Sequence, residues 1–532
     1  MESQGHNAPP EQSGFAHVRA HNHAGMANIV LERAPFDVQQ VFGAGSPQAM
    51  ETIAQQNNDF IGESIHCAQG SSLCSTANGG VTDVLPSEPG GYQALFGSKY
   101  VAPALGGLTD INGNTLSGFP GFDPTAAQTL GVVATMLEKN VPVVFAYIAD
   151  VHDNQEGASL SSEATFGPGE APYVKQLKDY DAAFAKFLAR LTSDGFTTAN
   201  TLFVLTPDEG DHFVGSKPSP ANCDGVTVPC TYTNVGELDI NLNAIVADAG
   251  DSTQFSLHFD DAPTVYVAGN PGRTDPGVRH LEQLISGLSA LNPITGQSEK
   301  VTYRMADPVT EKILHMVTAA DPNRTPTFTL FGDDNFFFES VGLLTAVEES
   351  GFAWNHGDDQ PEIARTFIAI AGPGVKNLGV TETADFFTDH VDVRPTIMLL
   401  TGLTDDYAHD GRSILELINP SVLPAALGNH RPTALLLGQA LKEVDAPFGA
   451  LDQAALNVST VALANSNNAI YNLLEAQIAS WNLRRDAIAG PIKSALEGAE
   501  FHGDPINEPQ AVQLIVRAQI LVAEAEIWAL IF

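Results

Sequence analysis

Basic residues are scarce in this chain. Its 532 residues include 25 Lys and Arg against 63 Asp and Glu, which gives a formal net charge of −38. A surface this acidic repels polyanions, so nucleic acid and anionic lipid are poor partners. Acidic side chains are natural ligands for a divalent cation, although most of these acids are expected to be solvated surface residues. No apolar run reaches the length of a membrane span, because Arg517, Glu524 and Glu526 interrupt the apolar C-terminal stretch.

Cysteine is also scarce. The four cysteines form two local pairs of equal spacing, Cys67 with Cys74 and Cys223 with Cys230, around loops rich in Gly, Ser or Pro. This pattern predicts two short-loop disulfides and an oxidising compartment, hence a secreted or periplasmic protein. A zinc site made of all four thiolates is the alternative, but the CxxC spacing typical of such sites is absent.

The first residues of this sequence do not have the pattern that predicts a signal peptide. The N-terminal stretch MESQGHNAPPEQSG is polar and has no apolar core. This conflicts with the predicted disulfides. Two explanations are open: a leader and further residues have been lost from this chain, or the cysteines are reduced.

The order of predicted elements indicates the fold. VPVVFAYIAD (141–150) is typical of a buried strand, and residues 173–193 have the apolar spacing of an amphipathic helix. A second strand is predicted at 201–206, and a strand–helix–strand order favours a parallel sheet. Further strands are predicted at 262–269 and 365–375.

We therefore expect an α/β protein with a mostly parallel sheet flanked by helices. The Ala- and Leu-rich composition after residue 420 predicts an appended helical unit. The expected organisation is an irregular N-terminal segment at 1–35, an α/β domain at 36–420 with an inserted cap region at about 213–350, and a helical C-terminal unit at 421–532.

The most informative stretch is Thr201–Phe213, TLFVLTPDEGDHF. Its apolar run ends abruptly in Asp208, Glu209, Asp211 and His212. Three carboxylates and an imidazole at the end of a buried strand are costly unless a cation compensates them. Sites gather at strand ends in open α/β sheets, so the stretch predicts metal ligation.

Other segments carry acids or histidines directly after a strand or turn. They are Asp150 and His152 in YIADVHDN, His356 in WNHGDD, and His390 in TDHVDV. Carboxylates suit hard divalent metals, and zinc also accepts imidazole. Two metals about 4 Å apart can clamp the attacking and leaving oxygens of a phosphoryl transfer. Ligands from several distant segments fit such a centre.

Four of these segments, in order, resemble the alkaline phosphatase superfamily, above all its phosphodiesterase and nucleotide pyrophosphatase branches. Along the chain they are YIADVHDN, YDAAFAKFLARLTSDGFTTANTLFVLTPDEGDHF, HGDDQPEIARTFIAIAGPGVK and HVDVRPTIMLLTGLTDDYAHDGRSILE. The resemblance covers roughly residues 125–416. It implies the same α/β fold, a metal-dependent phosphatase or phosphodiesterase, and a phosphate ester as substrate.

The resemblance also implies ligand positions. Asp150 corresponds to a first-site ligand, but the family's His four residues later is Asn154 here, so His152 or Asn154 must replace it. Asp208 corresponds to a second-site ligand, and Glu209 stands where the family usually has His, as in its acid phosphatase and phospholipase C branch. Taken together, the residues predicted to bind metal are Asp150, His152, Asp208, Glu209, His212 and His356.

Asp211 and His390 are weaker candidates, and His390 has helix N-terminal packing as its alternative. Zinc is the expected metal, with Mn, Ca or Mg as alternatives. An alternative register pairs Asp208 with His212 at the four-residue spacing of the family's first site.

The largest departure from the family is in the first quarter of the sequence. The family begins with a strand that ends in a metal-binding Asp, followed by a Ser or Thr nucleophile at a helix N-terminus. Nothing before residue 125 resembles either feature, and the sulfatase motif is absent. We therefore expect a truncated phosphoesterase of the extracytoplasmic space. The alternative is an inactive metal-binding or ligand-binding surface protein, and phosphoglycerate mutase-like chemistry is also open. The oligomeric state is not predicted.

Overall fold

The structure is a computed structural model. It describes residues 50, 108–116, 125–148, 151, 165–317, 324–340, 346–349, 352–381, 386–404 and 409–532. The chain divides into two compact units. The first comprises residues 1–197, 215–236 and 350–353, and the second comprises 198–214, 237–349 and 354–532.

The described part of the first unit is a hairpin and two helices. The elements are β1 (Leu108–Thr109), β2 (Thr115–Leu116), α1 (Ala126–Glu138) and α2 (Ala171–Ser193). A capping box between Thr125 and Gln128 starts α1. Arg190 of α2 binds Glu138 of α1 through two nitrogens, at 2.5 and 2.8 Å, which joins the helices. The helix predicted at 173–193 is confirmed.

A short disulfide loop also belongs to the first unit. Cys223 and Cys230 form a disulfide, in agreement with the prediction for this pair. Inside the loop, the Asp224 carboxylate accepts the backbone N–H groups of Val226, Thr227 and Val228 at 2.7–3.0 Å. These hydrogen bonds and the Thr227 hydroxyl lower the pKa of Asp224 far below its ordinary value. Cys67 and Cys74 lie outside the described residues.

The second unit contains the remaining strands. They are β3 (Phe203–Leu205), β4 (His212–Phe213), β5 (Glu237–Asn241), β6 (Phe255–His258), β7 (Thr264–Val267), β8 (Ser289–Leu291), β9 (Ser298–Lys300), β10 (Thr302–Ala306), β11 (Phe328–Gly332), β12 (Phe336–Glu339), β13 (Val347–Glu349), β14 (Trp354–Asn355) and β15 (Ala369–Ala371). The largest sheet has the order β10-β11-β7-β6, and a second has the order β12-β5-β13. The pairs β4–β14, β3–β15 and β8–β9 are two-stranded ladders.

Its helices are mostly in the C-terminal third. They are α3 (Leu242–Asp248), α4 (Pro276–Ile285), α5 (Pro308–Ile313), α6 (Pro361–Ala364), α7 (Val393–Thr401), α8 (Ala425–Gly428), α9 (Arg431–Asp445), α10 (Ala450–Ala464), α11 (Asn468–Glu497) and α12 (Glu508–Ile531). Short 3₁₀ turns at His390–Asp392 and Pro420–Val422 and a π turn at Gly498–His502 complete the unit.

Sheet and helices of the second unit share one hydrophobic core. Strands β11 and β12 are buried along their whole length, because FTLFG and FFFE are almost entirely apolar. Helix α10 lies against β10, where the Met305 N–H donates to the Thr460 hydroxyl at 3.0 Å. Trp481 of α11 is fully buried and packs edge-on against Trp528 of α12. Full burial of large apolar side chains contributes roughly 1.5–3 kcal/mol each to stability.

The predicted mostly parallel sheet is wrong. Among the described residues the pairing of β5 with β12 is parallel, and the other strand pairings within named strands are antiparallel. The strand predicted at 201–206 exists as β3, but it pairs antiparallel with β15. The strand at 262–269 exists as β7, and it lies in the antiparallel four-stranded sheet.

The error has a physical cause. A parallel sheet was inferred because an apolar strand at 141–150 would precede helix α2 and β3. The described residues 141–148 form no strand, and Val143 and Phe145 are 63% and 90% exposed. An apolar run shows that a segment can be buried, but it does not name the strand that will pair with it.

The domain boundaries expected from the sequence remain a prediction. Within the described residues, no helix is both long and apolar enough to cross a membrane.

Glu311 illustrates how the core holds acidic groups. It is fully buried on α5, where the Thr329 hydroxyl of β11 donates to its Oε1 at 2.7 Å. Its other carboxylate oxygen has no hydrogen-bond partner among the described residues. Loss of solvation raises the pKa of Glu311 well above its ordinary value of 4.5, and the nearby charge of Asp307 raises it further.

This burial predicts a pH-dependent cost. Folded Glu311 keeps its proton at pH values where the unfolded chain releases it, so stability falls as pH rises above about 4.5. Glu311→Gln keeps an acceptor for Thr329 and cannot ionise. We expect its free energy of unfolding to exceed that of the parent by on the order of 1 kcal/mol or more at pH 8, and by much less at pH 5.

Urea unfolding at both pH values measures the difference. The control is Glu526→Gln, which removes an exposed carboxylate from α12. An E311Q effect of the same size at pH 5 and pH 8 would show that Glu311 ionises normally in the folded protein.

Candidate metal centre

The two-stranded ladder β4–β14 organises the candidate site. His212 pairs with Asn355 and Phe213 pairs with Trp354, and the Phe213 and Trp354 rings lie 5.2 Å apart. One step beyond this register, Asp211 stands opposite His356. Since side chains alternate between the two sides of a strand, Asp211 and His212 point in opposite directions. Each residue therefore contributes to a different group of ligands.

The first cluster consists of Glu209, Asp211 and His356. His356 Nε2 lies 3.3 Å from Glu209 Oε2, and His356 Nδ1 lies 3.8 Å from Asp211 Oδ1. All three side chains are partly buried, and they offer ligand atoms within 4.8 Å of one another. Metal bonds of about 2.1 Å in a tetrahedral arrangement place donor atoms about 3.4 Å apart. The two carboxylates face opposite ring nitrogens of His356, and one cation can bind only one of these nitrogens. The cluster therefore has zinc-type donors at a spacing of up to 4.8 Å, which would have to contract around an ion.

The second cluster consists of His212, Asp334 and Glu362. His212 Nδ1 lies 2.5 Å from Glu362 Oε1 and 3.6 Å from Asp334 Oδ2. His212 Nε2 lies 3.3 Å from the side-chain oxygen of Asn335. Asp334 comes from the turn between β11 and β12, and Glu362 comes from the first turn of α6. The contact with Glu362 orients the imidazole ring.

Two glycines allow the clusters to form. Gly210 lies between Glu209 and Asp211, and a Cβ added there would clash with the backbone carbonyl of Ile363 in α6. Gly357, directly after His356, has a φ of +92°, which favours glycine. A Cβ at Gly357 would also come within 2.6 Å of Asp260 Oδ1. Close approach of the backbone at these two points brings the loop, the ladder and α6 together.

Buried acids lie beneath the first cluster. Asp261 accepts a hydrogen bond from the His356 backbone, but burial and the charges of Asp260 and Glu237 raise its pKa well above the ordinary value. Asp358 accepts the Gly332 N–H at 2.7 Å. Burial and the neighbouring charge of Asp359 raise the pKa of Asp358 as well. The raised pKa values favour the protonated, uncharged forms of Asp261 and Asp358, so neither acid by itself requires a cation.

The structure brings some predicted ligands together and separates others. Glu209 and His356 lie in the first cluster, together with the weaker candidate Asp211, and His212 lies in the second. Asp208 is exposed and belongs to neither cluster. Asp150 and His152 lie outside the described residues.

His390 lies at the beginning of a helical turn rather than in a cluster of ligands. Its Nε2 is 2.8 Å from the Thr206 hydroxyl oxygen, at the end of β3. This contact agrees with the alternative given for His390 in the sequence analysis, namely packing at a helix N-terminus instead of metal ligation.

Sequence reasoning missed Asp334 and Glu362. Asp334 lies in a Gly-Asp-Asp-Asn turn and Glu362 follows a proline, so each is typical of a turn or of a helix start. The only signal available was the richness of both segments in acids. Their proximity to His212 depends on strand pairing and on the close approach at Gly210.

Comparisons with protein-family models and with curated proteins found no match to this chain.

The clash at Gly210 predicts the effect of Gly210→Ala. The added methyl group must push the 209–211 loop away from α6, which separates Glu209 and Asp211 from His356. We expect a loss of bound metal and a destabilisation of about 1–3 kcal/mol, the usual cost of overpacking. Equilibrium unfolding and metal content by mass spectrometry measure the two effects.

Gly272→Ala is the matched control, because an added Cβ there meets nothing within 4 Å. If G210A retained as much metal as G272A, the loop geometry would not be what holds the site together.

Proposed function

We propose that this chain is a divalent-metal-dependent hydrolase of phosphate esters. The observation that carries the proposal is the first cluster, in which two carboxylates and an imidazole from Glu209, Asp211 and His356 converge. The resemblance to the alkaline phosphatase superfamily supports the substrate class. Since the described residues lack the mostly parallel sheet which that resemblance implies, the proposal depends on the site rather than on the fold.

The first cluster would hold the metal. A mixed set of carboxylate and imidazole ligands suits zinc, and Mn, Ca or Mg are alternatives. Three protein ligands leave at least one position for a water or a phosphoryl oxygen. The chemistry that a metal supplies there is polarisation of the phosphoryl oxygen and a lower pKa of bound water.

The second cluster would position a proton. Glu362 Oε1, 2.5 Å from His212 Nδ1, favours a proton on Nδ1 and fixes the ring. The Nε2 atom faces the side-chain oxygen of Asn335 and lies on the other side of β4 from the first cluster, so it would exchange a proton only with a group bound on its own side of the strand. The prediction from sequence is different, since it makes His212 a metal ligand. Metal stoichiometry separates the two roles: two ions per chain indicate a ligand, and one indicates a proton-transfer group.

We also propose an extracytoplasmic location. The support is the disulfide between Cys223 and Cys230, because disulfides persist in oxidising compartments.

A second candidate function is metal binding without catalysis. One observation favours it: nothing before residue 125 resembles the family segment that carries the nucleophile. Turnover separates it from the first candidate, because both predict bound metal.

The test combines metal analysis with turnover. Purified protein is loaded separately with Zn²⁺, Mn²⁺, Ca²⁺ and Mg²⁺, and hydrolysis of bis-p-nitrophenyl phosphate and p-nitrophenyl phosphate is followed. We expect His356→Ala to lose the bound metal and at least about 100-fold in kcat/KM, because loss of one ligand removes the charge stabilisation at the reacting oxygen. Asp211→Asn should have a similar effect.

Two controls sharpen the result. His280→Ala removes an exposed histidine from α4 and should leave both readouts unchanged. Asp208→Ala tests the ligand that the sequence predicts but the geometry leaves outside both clusters. Metal binding without turnover in the parent would establish the second candidate, and an H356A protein that retains its metal would exclude the first cluster as the site.

A further inference from the structure

The outward face of helix α12 is apolar along most of its length. Val512, Val516, Ile520, Ile527 and Ile531 are each 46–67% exposed, and Ala523 is exposed between them. The opposite face packs into the core through buried residues, namely Ala511, Leu514, Ala518, Leu521 and Ala525. Helix α12 is therefore apolar on two faces, whereas a surface helix normally turns a polar face to water.

The exposed residues form one continuous stripe. Residues 512, 516, 520, 523, 527 and 531 follow one another at intervals of three or four, which places them on one side of an α-helix. We call this set the α12 stripe. At a rise of about 1.5 Å per residue it is about 28 Å long. No charged residue interrupts it, although the chain as a whole has a net charge of −38. A stripe of this kind is typical of a contact surface.

We propose that the α12 stripe binds the α12 stripe of a second copy of this chain, with the two helices antiparallel. The stripe is symmetric about the midpoint between Leu521 and Val522. A two-fold axis there places Val512 opposite Ile531 of the second copy. It also places Val516 opposite Ile527, and Ile520 opposite Ala523. Small and branched side chains thus meet in matched pairs, as an isologous interface requires.

Charges beside the stripe complement one another in this arrangement. Arg517 and Glu524 lie on the same flank of α12, since Arg517 donates to the Ala487 carbonyl of α11 and Glu524 binds Arg484 of α11. In an antiparallel two-fold pair, the same flank of each helix meets. Arg517 of one copy then lies within one helical turn of Glu524 of the other. A parallel two-fold pair would instead place this flank of the two helices on opposite sides of the interface, so Arg517 would not meet Glu524 of the second copy.

The same charges argue against a lipid occupant. An anionic membrane surface is repelled by a chain with 63 acidic and 25 basic residues. A second copy carries the same net charge of −38 and is also repelled, but it offers a matching apolar stripe and the flanking Arg517 and Glu524, which an anionic lipid surface does not. One helix pair provides an interface near the lower limit of about 1,000 Å² for a specific complex, so we expect a dimer that dissociates on dilution.

Sedimentation velocity from 1 to 200 µM tests the association. We expect a concentration-dependent dimer in the parent and a monomer at all these concentrations in Ile520→Glu. Leu436→Glu is the matched control, because Leu436 is 52% exposed on α9 and lies outside the stripe. Thermal melting checks that both variants fold. A parent that stays monomeric at 200 µM, or equal loss of dimer in I520E and L436E, would overturn the proposal.

Cross-linking tests the antiparallel register. Val512→Cys and Ile531→Cys proteins are oxidised separately and as a mixture, and the linked peptides are identified by mass spectrometry. We expect the mixture to form the 512–531 link. We expect little 512–512 link, because those positions lie about 28 Å apart in the antiparallel pair. A dominant 512–512 link would indicate parallel packing and would contradict the proposed interface. Both tests are independent of metal binding and turnover.

Discussion

A shortage of positive charge is the constraint on which the rest of this structure depends. With 25 basic residues for 63 acids, buried carboxylates cannot each have their own cation. The second unit shares its cations instead. Lys442, almost fully buried, binds Asp389 at 2.8 Å and Asp392 at 2.6 Å. Other acids carry less charge at neutral pH, because burial raises the pKa of Glu282 to about 8 and that of Glu500 to about 7.

The candidate metal centre is a local form of the same problem. Around β14 the chain brings together Glu209, Asp211, Asp261 and Asp358, and the imidazole of His356 lies against Glu209 and Asp211. A neutral imidazole compensates no charge. A divalent cation compensates two carboxylates at once and uses the imidazole as a ligand, which is a more effective solution than a protonated histidine. This argument depends on burial and charge and does not require a particular fold.

The sequence predicted individual helices and strands better than it predicted which strands pair with each other. The helix at 171–193 could be predicted because its apolar residues repeat every three or four positions. Glu209 and His212 were found because acids follow an apolar strand, and His356 was found because it follows a predicted strand or turn, before the resemblance gave it a role. The parallel sheet was wrong because β3 pairs antiparallel with β15, about 165 residues away, and no local pattern encodes that choice. Asp334 and Glu362 were missed for the same reason, since they reach His212 only through contacts distant in sequence.

The register of the β4–β14 ladder decides which residues belong to each of the two clusters. Side chains alternate between the two faces of a strand. A shift of β4 by one residue would therefore turn Asp211 to the face that His212 now occupies, and His356 would then face a different residue. A two-residue strand cannot hold register through its own hydrogen bonds. The tilted contact of the Phe213 and Trp354 rings and the close approach of Gly210 to α6 supply the missing specificity. The chemistry of the site is therefore fixed by an aromatic pair and a glycine that would not themselves bind a ligand.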